Sequence, residues 1–122
     1  MLRGLVVRGD GVGRTLGYPT ANIDIPKSKV LFSKGVYAAL ATVRNQEYRC
    51  ALVIRDQPWR VEAHLLDYEG KPDFYGLKMS VNPLQKICAI ERVDSREELM
   101  EKIAMDIKMV KDYFAEKNTT YV

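Results

Sequence analysis

The chain has 122 residues, of which 47% are hydrophobic and 29% charged, and a net charge of +3. That length suits one domain, residues 1–122, closing a single hydrophobic core without staples. The charge excess suits an anionic ligand, but no Lys/Arg stripe interleaved with aromatics is present, so nucleic acid is not an expected partner. Cys50 and Cys88 lie far apart and outside any CxxC pair; they are expected as buried, reduced thiols. With a single histidine they exclude a credible zinc site. The opening MLRGLVV is too short for a signal peptide and no stretch approaches a membrane span, so a cytoplasmic monomer is expected.

In chain order, Leu2–Val7 reads as a first strand and Gly9–Gly17 as a glycine-rich loop. Ala21–Ile25 is extended and Pro26–Ser33 a polar connector. Gly35–Val43 is a strand, Asn45-Gln46 a turn, Tyr48–Ile54 a strand and Asp56–Pro58 a turn. Val61–Tyr68 follows as a strand, Glu69–Asp73 as a turn, and Phe74–Val81 and Gln85–Arg92 as the last two strands. The period then changes. Ser95 and Glu98 form a capping box, and Leu99, Ile103, Ile107, Val110 and Phe114 recur at helical spacing. This predicts an amphipathic helix over about 96–114, with a Glu98–Lys102 i,i+4 pair and a tail over 118–122. Many short strands and one terminal helix make an α+β, mostly β domain; a closed antiparallel barrel hides its edges, with the helix against the wall.

Chemistry concentrates in residues 9–22. Gly9, Gly11, Gly13 and Gly17 let the backbone approach a ligand and point successive N–H groups at phosphate oxygens, and Arg14 adds charge to that cradle. The loop lacks the Gly-Lys-Ser/Thr ending of a Walker A motif, and no βαβ pattern surrounds it. In Pro19-Thr20-Ala21-Asn22, extended backbone puts Thr20 and Asn22 on one side, where hydroxyl and amide oxygens suit Mg²⁺ held together with phosphates. They can equally satisfy turn backbone groups. Further on, alternation puts Glu62, His64 and Leu66 on one face and Val61, Ala63, Leu65 and Asp67 on the other. A glutamate among apolar residues costs desolvation unless it has a partner. On the inner face near a phosphate site, Glu62 can accept a hydroxyl proton as a general base; on a solvated face it would pair with a neighbouring base. His64 reads as a structural histidine, and Trp59 as packing or a stacking surface.

These pieces, in this order, resemble the ATP-dependent riboflavin kinase family. Its Gly-Arg-x-Leu-Gly-Phe-Pro-Thr-Ala-Asn pattern reads here Gly13-Arg14-Thr15-Leu16-Gly17-Tyr18-Pro19-Thr20-Ala21-Asn22. The likeness continues through Gly35-Val36-Tyr37, Glu62-Ala63-His64-Leu65-Leu66-Asp67-Tyr68, Phe74-Tyr75-Gly76 and the closing helix from Asp94. It implies a six-stranded Greek-key barrel with a C-terminal helix. It implies ATP phosphates on Gly9, Gly11, Gly13, Arg14, Gly17 and Thr20, Mg²⁺ on Thr20 and Asn22, and Glu62 as the base for the ribityl 5′-hydroxyl of riboflavin. The products would be FMN and ADP. The family's Asn-Ile-Gly is replaced by Val53-Ile54-Arg55, and its Ile-Arg-Pro-Glu by Ile87-Cys88-Ala89-Ile90. Arg55 or Arg92 is a substitute for the missing arginine, and the alternative to a kinase is a catalytically weak flavin- or nucleotide-binding module. No adenylyltransferase half is present in the chain, so FAD synthesis is not expected.

Overall fold

A computed structural model describes residues 1–9, 19–56, 58–68, 74–90 and 94–119. The strands are β1 (Leu2–Val7), β2 (Thr20–Asp24), β3 (Gly35–Val43), β4 (Gln46–Arg55), β5 (Arg60–Leu65) and β6 (Lys78–Cys88), followed by one helix, α1 (Arg96–Thr119). They close into an antiparallel barrel in the order β1-β2-β5-β4-β3-β6. β3, β4 and β5 form consecutive hairpins and β6 returns to lie beside β3, which is the Greek-key arrangement. Closure leaves no free sheet edge, as short β-branched strands require. No helix among the described residues is long and apolar enough to cross a membrane.

Alternation decides the two faces. Val6, Ala21, Ile23, Ala39, Leu52, Val61, Ala63, Leu65, Met79 and others fill the interior. The outward residues Val36, Ala38, Ala51 and Val53 are covered by Ile103, Ile107, Val110 and Phe114 of α1. β3 and β4 are therefore buried on both faces over most of their length, and read as continuous apolar runs. Each fully buried Ile or Val side chain of α1 contributes roughly 1.5–3 kcal/mol relative to exposure.

Several expectations shift by a residue or an element. The β3–β4 turn falls on Arg44-Asn45, at φ 53° and 63°, and not on Asn45-Gln46, because Val43 pairs with Gln46. A two-residue hairpin needs left-handed backbone at both positions to match strand twist. The two expected final strands are one, Lys78–Cys88, and Phe74–Leu77 is a turn, closed by the Leu77 N–H on the Phe74 carbonyl at 3.0 Å. Gly76 sits at φ +79° in its third position, which favours glycine. Pro83 is accommodated within β6 where β6 has β3 but not β1 beside it, next to a register shift between Ala38 and Ala39.

The helix extends through Thr119, beyond the expected end near 114 and into the expected tail over 118–122, of which residues 120–122 lie outside the described residues. Ser95 Oγ accepts the Glu98 N–H at 3.1 Å, as a capping box requires. Glu98 reaches back to the N–H of Asp94 (3.2 Å) rather than to that of Ser95. Lys102 consequently does not pair with Glu98. It donates to both oxygens of buried Asp106 at 3.1 Å, because burial gives that carboxylate the stronger demand for a counter-charge. Both cysteines are free thiols; Cys50 is buried as expected, whereas Cys88 is only partly buried. Burial, then hydrogen bonding to Asp106, pushes the Cys88 thiol up to about 11, and burial pushes Cys50 up as well.

Candidate functional site: the outer face of β2 and β5

The register of β2 against β5 brings the predicted residues together. Asn22 pairs with Glu62 and Thr20 with His64. Directly opposed residues share a face, so all four project to one side. Thr20 Oγ1 lies 2.9 Å from His64 Nδ1. His64 is fully buried, and this bond fixes its ring against β2 and limits the rotamers open to the threonine hydroxyl.

Of the two faces left open for Glu62, it takes the outer one. It does not point into the barrel. Val61, Ala63 and Leu65 point inward, into an interior lined by aliphatic side chains. Glu62 points outward, opposite Val53, and is nonetheless 0% exposed. The physical reason is compensation: among the described residues the interior cluster offers a carboxylate no cation, whereas the outer face offers Arg55. Arg55 Nε donates to Glu62 Oε1 at 2.8 Å, with both side chains 5% exposed or less. Arg55 stands opposite Arg60 in the β4–β5 hairpin, so Glu62 is its diagonal neighbour, within reach of a long side chain. Sequence reading offered Arg55 only as a substitute for an absent arginine. The signal that could have found the pair is the spacing of seven residues across a short hairpin.

Gly9 and Asn22 fit each other closely. A Cβ built at Gly9 would lie 2.1 Å from Asn22 Oδ1, so the glycine leaves this amide in its place and a larger residue would push it aside. Asn22 Oδ1 is buried and accepts no hydrogen bond among the described residues. A buried carbonyl oxygen in that condition, two residues from the Thr20 hydroxyl on the same face, fits a hard divalent cation. Among the described residues no group of three or more His, Cys, Asp and Glu side chains gathers to hold a metal. A cation here would therefore rely on few protein oxygens and take its other ligands from phosphates and water, the habit of Mg²⁺. Gly11, Gly13, Arg14 and Gly17 lie outside the described residues, as does Arg92.

Two tethers hold the edge of this face. Trp59 Nε1 donates to the Ile25 carbonyl at 2.8 Å, so the indole packs and anchors. Lys27, in the 3₁₀ turn Lys27–Lys29, is hydrogen-bonded to Asp56 at the end of β4. Below, Asp67 receives Arg49 Nε (2.9 Å), Nη2 (2.6 Å) and backbone N–H (3.1 Å), and these bonds hold its carboxyl below the usual carboxylate range.

A family model described as Flavokinase, riboflavin kinase, matches residues 1–114. The RNA-binding riboflavin kinase of Bacillus subtilis is 36% identical over 121 residues, covering 93% of this chain and 51% of that protein. The bifunctional riboflavin kinase/FMN adenylyltransferase of Escherichia coli K12 is 37% identical over 123 residues, covering 93% of this chain and 37% of its own length. The chain thus spans about half or less of the length of these curated relatives. Among solved structures, a Streptococcus pneumoniae protein described as a macrolide-efflux protein aligns with a TM-score of 0.72 at 29% identity, over 89% of this chain and 37% of its own. Riboflavin kinase from Trypanosoma brucei aligns with a TM-score of 0.63 at 26% identity, over 93% of this chain and 75% of its own.

Proposed function

Because this chain belongs to the riboflavin kinase family, we propose that it transfers the γ-phosphoryl group of ATP to the ribityl 5′-hydroxyl of riboflavin, giving FMN and ADP. The observation that carries this reading is the facing of Asn22 and Glu62 across β2 and β5, with Gly9 packed on Asn22. It joins the end of a glycine-rich segment, two oxygen donors and a carboxylate on one outer face.

In this reading the hydroxyl oxygen attacks the γ-phosphorus as the bond from that phosphorus to the β,γ-bridging oxygen breaks. The hydroxyl proton passes to the Glu62 carboxylate, and the electron pair of the broken bond stays on ADP. Phosphoryl transfer is mostly positioning and electrostatic stabilisation, so a loop, a divalent ion and one base are sufficient parts. Thr20 Oγ1 and Asn22 Oδ1 would hold Mg²⁺, which would supply positive charge to offset that developing on the transferred phosphoryl group. His64 keeps the Thr20 hydroxyl in one rotamer for that task. The glycine-rich residues, with Arg14, would receive the phosphates through backbone N–H groups and one guanidinium.

FMN formation from riboflavin and ATP with Mg²⁺, followed by chromatography, tests the reading; no FMN with any nucleoside triphosphate would refute it. Glu62→Gln is expected to lower kcat by about 10²–10⁴-fold with ADP binding retained, the usual contribution of a positioned base. Full activity in that variant would remove Glu62 from the base role. A second reading, binding of flavin or nucleotide without turnover, is favoured by Val53, which stands opposite Glu62 where the family has an asparagine. Calorimetric binding without FMN formation would select it.

A further inference from the structure

We infer that Arg60 is a further catalytic residue, its guanidinium taking oxygens of the transferred phosphoryl group; this rests on the reading of this face as a phosphoryl-transfer site. Arg60 opens β5 two residues before Glu62, so alternation puts both on the outer face, with Asn22 opposite Glu62 on β2. Two residues span about 6.6 Å along a strand, within reach of a long side chain. The guanidinium is anchored. Its Nη1 donates to the Trp59 carbonyl at 2.9 Å, and the Trp59 indole is itself fixed on the Ile25 carbonyl at 2.8 Å.

Two features of Arg60 call for an anion. Its Nε is buried and donates to no acceptor among the described residues, and a buried N–H in that condition is costly. Its direct partner across the β4–β5 hairpin is Arg55, a second guanidinium, and like charges so placed repel. Arg55 is bonded to Glu62, and among the described residues no carboxylate forms an ion pair with Arg60. An anionic ligand on this face relieves both costs. The planar N–H fork of a guanidinium matches phosphate oxygens. The reaction creates the same demand from the other side. A γ-phosphoryl group brought beside the Glu62 carboxylate sets negative charge against negative charge, and a cation fixed on that face offsets the repulsion.

The test measures FMN formation in Arg60→Ala and Arg60→Lys, with and without methylguanidinium below the concentrations that unfold the chain. Arg60→Ala is expected to lower kcat about 10²–10³-fold, the usual cost of removing one preorganised donor, with KM for riboflavin and ATP near native. Added methylguanidinium is expected to restore part of that kcat, saturably, and Arg60→Lys to fall between Arg60→Ala and the native chain. A native kcat in Arg60→Ala would overturn the inference, as would a loss shared by kcat and KM that methylguanidinium leaves untouched. A second measurement uses the native chain, so it stands even if Arg60→Ala fails to fold. The Nε–H resonance of Arg60, assigned by its absence in Arg60→Lys, is followed as riboflavin or FMN is added. The phosphate of FMN is the transferred group, so FMN is expected to shift the signal and riboflavin to leave it in place. An equal response to the two, or none to FMN, would overturn the inference on its own. A native chain that forms no FMN would refute the kinase reading instead, while the comparison of FMN with riboflavin still decides whether Arg60 meets the phosphate.

Discussion

Val53 and Glu62 stand opposite each other on neighbouring strands, both fully buried, and the outer wall of the barrel divides between them. On the Val53 side the wall is hydrocarbon: Val36, Ala38 and Ala51 lie under Ile103, Ile107 and Val110 of the helix. On the Glu62 side it is a chain of specific polar contacts, Arg55 to Glu62 and Thr20 to His64. The first side tolerates rearrangement because dispersion and burial have no direction. The second works only while each group keeps its partner, since a buried charge or amide left alone is costly. One half of the exterior therefore holds the strands in place, and the other half uses that rigidity to keep its polar groups paired.

Substitutions on either side sharpen this contrast. The largest stability loss is expected from Arg55→Met, which removes the guanidinium bonded to a buried carboxylate; about 3–5 kcal/mol is expected from chemical denaturation at pH 7. Ile107→Ala on the hydrocarbon side should cost about 2–5 kcal/mol by the same measurement, yet leave KM and kcat near native while the chain is folded. Gly9→Ala should do the reverse. The new methyl group would collide with the Asn22 amide, a movable side-chain end, so the melting temperature should hardly change. Mg²⁺-dependent ADP binding, read by calorimetry, should weaken about 10–100-fold.

The smallest effect concerns Asp67, which is bonded to Arg49 just past β5. Its carboxyl is held below its ordinary 3.8 by the Arg49 hydrogen bonds. Its contribution is thus present above that value and is lost as pH falls through the lower folded-state value. With the two side chains 33% and 43% exposed, solvent screening limits the pair to about 1 kcal/mol or less. Melting curves from pH 6 to pH 2 should therefore differ little between Asp67→Asn and the native chain at the acid end, and most near neutrality.

Elements with one clear period were legible before any coordinates. Leu2–Val7 and Gly35–Val43 have the bounds expected of them, and Ile103, Ile107, Val110 and Phe114 bury the predicted stripe. The last two expected strands are one, and Pro83 fits within it because the second neighbour strand stops short of it. The residue types of the site were legible too, since a threonine, an asparagine and a glutamate are conspicuous among apolar neighbours. Their convergence was not, because the pairing of Asn22 with Glu62 depends on the register of two strands far apart in sequence. Nor was the face. Alternation separates Glu62 from Val61 but does not say which set looks inward; the cation at Arg55 decides that.

Trp59 is the sole tryptophan of the chain, and its indole N–H is tied to Ile25, one residue past the strand that carries Thr20 and Asn22. Indole emission depends on the polarity and hydrogen bonding around the ring. The protein thus carries one intrinsic optical reporter, and any displacement of that strand as nucleotide or metal arrives should register as a change in the colour or lifetime of its fluorescence, without a label.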